Sequence, residues 1–240
     1  MRYFIVLILS LWLSSAYGQN TRVQNFSSAK KILKKFNYLG MEKEIYCGCK
    51  VTSFGKFDKN SCGYKPKKDN ARAWRLEAEH VVPFENLVGH TKAWDYGVPE
   101  CKGKKGRKCA SEVYGEIEGD LWNLMPSLGE LNGLRSNYQI AEIPGEERAF
   151  GTCDFEIQDR KMEPPEEVKS LVAVTYKYMQ DSYAKKLSTN YISSKNEKLI
   201  EAWSKKPLPA WACSWGKKVS QVQGNENKHL VDKCRAQNLW

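Results

Sequence analysis

Eight cysteines, all downstream of an apolar leader, constrain this chain more than any other feature. The leader reads "MRYFIVLILSLWLSSAYGQ". Arg2 gives it a short positive start, Tyr3 to Leu13 is almost wholly apolar, and Ala16-Tyr17-Gly18 places small residues at the two positions a signal peptidase reads. Residues 1–18 are therefore expected to be a secretory signal, too short and wrongly flanked for a membrane span. An uncleaved anchor is the bland alternative. Exported chains meet an oxidising compartment, where an even cysteine count reads as a disulfide framework and not as metal ligands. Cys47-Gly48-Cys49 offers a zinc reading, but no second closely spaced Cys/His pair accompanies it. Eight cysteines allow on the order of a hundred pairings, and sequence does not choose among them.

Residues 19–240 suit a single domain with a sizeable core, or at most two small ones. The formal charge is +10, and loss of Arg2 with the leader lowers it by one. A basic, exported, disulfide-bonded protein points to an anionic partner: nucleic acid, anionic polysaccharide or a membrane surface. Solubility alone accounts for the charge equally well.

The chain has no internal repeat and no low-complexity tract. Ser28 to Tyr38 puts Ala29, Ile32, Leu33 and Phe36 on one helical face and lysines on the other, with Ser27 or Ser28 as cap. Residues 45–64 read as a stapled loop region. Pro164-Pro165-Glu166-Glu167 opens a long helix whose inward face is Val168, Leu171, Val172, Thr175, Met179 and Tyr183. A capping box at Ser194 to Glu197 starts another, with Leu199, Ile200 and Trp203 inward. The tail, with Trp211, Cys213, Trp215 and Cys234, is expected to be clamped by a disulfide. The better strand signals are Ala78–Val82 and Phe155–Gln158. Short strands among longer helices predict an α+β fold.

Three segments carry chemistry-bearing residues. "EAEHVVP" (77–83) sets Glu79 directly before His80, in a chain with three histidines. "CKGKKGRKC" (101–109) crowds four lysines and Arg107 between two cysteines. A Cys101–Cys109 bridge would hold these like charges together, at a cost in stability unless an anion binds. The plain alternative is a solvated basic loop. Arg107 stands apart because its planar fork pairs bidentately with a phosphate. "EGDLWNLMPSLGELNGLRSNY" (118–138) holds Asn123, Asn132 and Asn137 beside Glu118, Asp120 and Glu130. An asparagine oxygen is a hard neutral ligand for magnesium or calcium, although most asparagines near turns only bond local backbone.

In order, "RLEAEHVVP", "GRK", "DLWNLMP" and "GELNGLRSNY" resemble the bacterial endonuclease I family, exported non-specific nucleases of DNA and RNA found in the periplasm or culture fluid. The resemblance runs from about Phe26 to Cys234 and includes the cysteine layout and "VQGN" at Val222 to Asn225. It implies a ββα-metal (His-Me finger) site, to which a strand or loop delivers the histidine and a following helix an asparagine. On that resemblance His80 matches the general base, Glu79 and Asn132 the ligands of a single Mg²⁺, and Arg107 the arginine near the scissile phosphate. Ca²⁺ or Mn²⁺ would substitute for binding. Glu118 matches an acidic position near the histidine. The implied products carry 5′-phosphates, and a monomer is expected. One departure is plain: the family commonly has histidine where this chain has Trp122.

The chemistry agrees with these roles. A neutral histidine, with an ordinary pKa of about 6.5, accepts a proton near neutral pH. Mg²⁺ keeps several waters and needs only one or two protein oxygens. Neighbouring strand positions point to opposite sides, so Glu79 and His80 can address a metal and a water separately. His90 and His229 read as packing residues. Two other classes compete. A non-catalytic, secreted nucleic-acid-binding protein would use the basic loops and tryptophans and would not need Glu79 or Asn132. A secreted metalloprotease would call for paired histidines such as H-E-x-x-H, which the chain lacks. No base-reading module is recognisable, so phosphate contacts without sequence specificity are expected.

Overall fold

The computed structural model describes residues 18–145 and 148–240. The expected leader, residues 1–18, lies outside the described residues except for Gly18. The α+β class holds. Helix α1 (Phe26–Lys35) precedes a small hairpin, β1 (Val51–Ser53) and β2 (Lys56–Phe57). Strand β3 (Leu76–His80) leads into four short helices: α2 (Phe84–Val88), α3 (Lys92–Asp95), α4 (Arg107–Val113) and α5 (Gly115–Glu118). Strand β4 (Leu124–Leu128) then runs directly into α6 (Gly129–Arg135). A second sheet follows, of β5 (Gln139–Ile140), β6 (Glu156–Gln158) and β7 (Lys161–Glu163), in the order β5-β7-β6. The chain closes with α7 (Lys169–Leu187), α8 (Ser194–Ser204), α9 (Ala210–Gln223) and α10 (Lys228–Ala236).

The unit that matters is β3-β4-α6. The two strands pair antiparallel from Leu76↔Leu128 to His80↔Leu124, and residues 81–123 loop out between them. The sequence pattern carries a strand on to Val82, but β3 ends at His80 for a local reason. Val81 N–H bonds the Asn123 carbonyl at 3.0 Å. Asn123 also takes Val82 through its side chain, accepting from Val82 N at 2.7 Å and donating to Val82 O at 2.9 Å. Pro83, with no N–H, then starts α2. Strand β4 tolerates Pro126 because it pairs with β3 alone, and the Pro126 carbonyl accepts from Ile45 N.

Helix α1 begins two residues before the predicted start, because Asn25 and not a serine caps it, accepting from Ser28 N at 2.9 Å. Ala29 and Leu33 face the core as predicted. Phe36 lies past the helix end and is 44% exposed. All six predicted inward residues of the 164–187 segment are buried, but so are Ala173, Val174, Tyr176 and Tyr178 on other faces. Helices α8 and α10 and the 121–123 turn pack around α7, so it is enclosed and not merely amphipathic. Ser193 caps α8, one residue ahead of the predicted box.

All eight cysteines pair: Cys47–Cys153, Cys49–Cys62, Cys101–Cys109 and Cys213–Cys234. Cys47 and Cys49 go to different partners, which removes the zinc reading. The last bridge ties α10 to α9, as expected of the tail.

Two features fix the looped-out segment. Buried Asp120 accepts from Tyr178 and Tyr183 hydroxyls at 2.7 and 2.6 Å, and from Gln223 Nε2 at 2.8 Å. Gln223 also accepts from Leu121 N at 2.7 Å. On the other flank, Gly115 and Gly119 let the start of α1 lie directly on α5. A side chain at Gly119 would sit 2.8 Å from the Asn25 backbone.

Candidate active site

His80, at the end of β3, Glu79 beside it and Asn132 from α6 border one open cleft of about 270 Å³. Arg107 and Arg72 complete its rim with Phe84. Four of the five residues singled out from sequence thus meet in one place. The fifth, Glu118, stands behind it and holds two of the others.

The imidazole of His80 is held from one side by backbone. Its Nε2 lies 2.8 Å from the Glu118 carbonyl, an acceptor only, so Nε2 carries the proton and Nδ1 keeps the lone pair. Phe26 packs on the ring at 4.8 Å between centroids and Phe84 at 6.4 Å. Lys30 lies over the Phe26 ring and Arg107 over the Phe84 ring, at 4.7 and 5.6 Å. Burial, with the positive charges of Arg107 and Arg135, lowers the His80 pKa to about 4 against the opposing pull of Glu118. The ring is therefore neutral at pH 7, with Nδ1 able to accept a proton.

Glu79 faces the opposite side of β3, as strand alternation requires. It is 3% exposed. Its Oε1 accepts from the Tyr46 hydroxyl at 2.7 Å and lies 3.2 Å from Arg135 Nε. That Nε–H is not aimed for a hydrogen bond, so the contact is an ion pair. Burial pushes the Glu79 pKa up to about 7, and Arg135 and Tyr46 limit the rise. Its Oε2 has no hydrogen-bond partner among the described residues. Asn132 donates its Nδ2 to Glu77 Oε2 at 3.1 Å, which settles the orientation of the amide and leaves Oδ1 as the free end. One carboxylate oxygen and one amide oxygen on the same cleft form a hard, sparse donor set that fits Mg²⁺ better than a transition metal. Among the described residues no three His, Cys, Asp or Glu side chains cluster as a metal cage.

Arg107 lies at the start of α4, and its side chain is 55% exposed. Its Nη2 pairs with Glu118 Oε1 at 2.5 Å. Glu118 thus carries two jobs, its carboxylate placing Arg107 and its carbonyl placing His80. Trp122 lies in the core and not in the cleft. It is fully buried, meets Trp215 edge-on at 5.5 Å and donates Nε1 to Asn225 at 3.3 Å. The departure from the family pattern therefore falls on packing. His90 and His229 lie elsewhere, near the Leu187 carbonyl and Asp181.

The sequence reading missed Arg135, Glu77, Tyr46 and Phe26. Two of these left a signal. Glu77 is two positions before Glu79 and so shares its strand face. Arg135 is three positions after Asn132 and so lies on the same side of α6, with Asn132 reaching Glu77 and Arg135 reaching Glu79. Tyr46 and Phe26 approach from distant segments, and nothing local marks them.

A family model described as Endonuclease I matches residues 15–238. An "Extracellular deoxyribonuclease" of Aeromonas hydrophila is 34% identical over 98% of this chain and 99% of its own. A "Periplasmic deoxyribonuclease" of the same species is 34% identical over 90% of each chain. "Endonuclease-1" of Buchnera aphidicola subsp. Baizongia pistaciae is 36% identical over 98% of this chain and 95% of its own. Identity at this level along nearly the whole length establishes that the chain belongs to the endonuclease I family.

Proposed function

We propose that the protein is an exported endonuclease that hydrolyses phosphodiester bonds of DNA, and of RNA, leaving 5′-phosphates. Relatives named as extracellular and periplasmic deoxyribonucleases support the substrate class and the location. The observation that carries the chemistry is the neutral His80, its Nε2–H tied to the Glu118 carbonyl, in one cleft with Glu79, Asn132 and Arg107.

In this reading His80 Nδ1 takes a proton from the attacking water, and Glu118 keeps the ring in the one tautomer that can do so. Arg107 leaves or shares Glu118 to pair with the scissile phosphate, where its contact tightens as charge builds in the transition state. Glu79 and Asn132 would hold a single Mg²⁺, with Ca²⁺ or Mn²⁺ as binding substitutes. A bound Mg²⁺ there supplies charge neutralisation at the phosphate and at the leaving 3′ oxygen. Contacts to phosphate leave the activity without sequence preference.

The test uses purified mature protein with plasmid DNA and with RNA. Cleavage in Mg²⁺ should stop in EDTA and return when Mg²⁺ is restored, and Glu79→Ala and Asn132→Ala should each raise the Mg²⁺ concentration required. Activity that survives EDTA would sink the single-metal reading. Binding without any cleavage would favour a nucleic-acid-binding protein instead.

A further inference from the structure

We infer that the hollow next to the active-site cleft, bounded by Arg72 and Lys68, is a second phosphate subsite. It would take a phosphodiester flanking the one that is cut. The inference rests on the nuclease reading and adds where the substrate strand runs.

The two hollows share a wall. Arg72 and Gly133 border the cleft that holds Glu79, His80 and Asn132. The same two residues border a separate hollow of about 310 Å³ with Lys67, Lys68, Glu130 and Leu134. A strand with its scissile phosphate in the cleft must carry a neighbouring phosphate over one of the cleft's edges, and this edge is basic.

The placement of Arg72 depends on a missing side chain. A Cβ on Gly133 would lie 2.5 Å from Arg72 Nη1 and 2.8 Å from its Cζ. Glycine thus lets the guanidinium lie against α6, on the ridge between the hollows. Glu77 fixes it there through Nε at 3.1 Å and Nη2 at 2.9 Å. Nη1 has no hydrogen-bond partner among the described residues. Guanidinium pairs well with phosphate because it offers several N–H groups in one plane.

The local charge is positive. Glu77 is shared between Arg72 and Arg75, one carboxylate for two guanidinium groups. Glu130, the acid among the hollow's lining residues, is turned inward and already occupied. It accepts from the Tyr64 hydroxyl at 2.7 Å and from Lys67 and Lys68 amides at 3.1 and 2.9 Å. The Lys68 ammonium makes no ion pair among the described residues. Leu134, 40% exposed, gives the hollow an apolar edge against which a sugar can rest.

The test is the salt dependence of duplex binding in EDTA, read by fluorescence anisotropy. Each phosphate contact contributes about 0.9 to the slope of log affinity against log salt. Arg72→Ala and Lys68→Ala should each lower the slope by about that much. Gly133→Ala is the sharper variant: it removes no charge, yet it displaces the guanidinium, so it should lower the slope like Arg72→Ala. The double variant Arg72→Ala/Gly133→Ala should be no worse than either single one, because both remove one contact. A wild-type slope in Arg72→Ala and Lys68→Ala overturns the subsite, whether or not Gly133→Ala folds. So does additive loss in the double variant. A wild-type protein that binds no duplex would overturn the nuclease reading itself.

Discussion

Arg135→Met removes a buried cation from the side of Glu79 and leaves a side chain of similar length. At 3.2 Å and an effective dielectric near 20 the attraction lost is about 5 kcal/mol. Glu79 does not have to bear that loss as a charge, because it can take up a proton. In the native protein its pKa is about 7, against 4.5 in an exposed chain. The folded state therefore holds this proton more tightly than the unfolded state. Glu79 favours folding most below pH 4.5, and that support fades as the pH rises to about 7, a change of roughly 3 kcal/mol. Without Arg135 the folded pKa rises further. The fading then continues above pH 7, at a little over 1 kcal/mol per pH unit until the new pKa is passed. At pH 5 Glu79 is mostly protonated with or without Arg135. The cost there is the loss of the bonds from Arg135 to the Val81 and Ser136 carbonyls, about 1–3 kcal/mol for each group left unpaired. Urea unfolding at pH 5, 7 and 9 separates the two contributions. The variant should lose roughly 2 kcal/mol more at pH 9 than at pH 5. A stability difference that does not change with pH would refute the idea that Arg135 sustains the Glu79 carboxylate.

Three further outcomes are expected. His80→Ala should lower cleavage about 10²–10⁴-fold while DNA binding persists, and near-normal turnover in Mg²⁺ would remove His80 as base. Arg107→Ala should lower the turnover number, and Arg107→Lys should not restore it fully. Lys104→Ala, which gives up only an exposed pair with Glu112, should change affinity alone; matching effects in the two alanine variants would make Arg107 an ordinary electrostatic contact. The Cys47–Cys153 bridge spans 106 positions and Cys101–Cys109 spans 8, so chain entropy predicts that replacing the first pair by serine costs about 5 kcal/mol and the second about 2.5. Equal losses in thermal melts would show that loop length is not the governing factor.

The legible parts of this molecule were those with local signatures. The long helix after Pro165 follows from its periodicity, and the disulfide framework from an even cysteine count behind a leader. The Glu-His pair stood out as an acid directly before a histidine, whereas Asn132 was singled out only through the family resemblance. The pairing of Cys47 with Cys153 could not be read, because it depends on how distant segments meet. The same holds for Phe26, which reaches His80 only because two glycines admit α1 against α5. Strand β3 stops short of its apolar pattern because Asn123, some forty residues away, takes the backbone of Val82. "VQGN" was visible only as a resemblance. Its physical reason is that Gln223 and Asn225 complete the shell around Asp120 and Trp122, while Gly224, at φ 84°, ends α9.

That shell bears on when the protein becomes competent. Gln223 reaches back 103 positions to Asp120, and Asp120 stands two residues from the glutamate whose carbonyl orients His80. Until Gln223 is in place, the Leu121 amide lacks its acceptor and the Asp120 carboxylate one of its donors, and bringing such remote segments together carries its full loop-closure cost. A chain threaded out of the cytoplasm N-terminus first would deliver these residues among its last. A chain ending at Ser220 should accordingly fail to cleave DNA, and full activity in it would break this link. The tail of the chain is thus a fastener for its middle: the support behind His80 closes only on residues that come last.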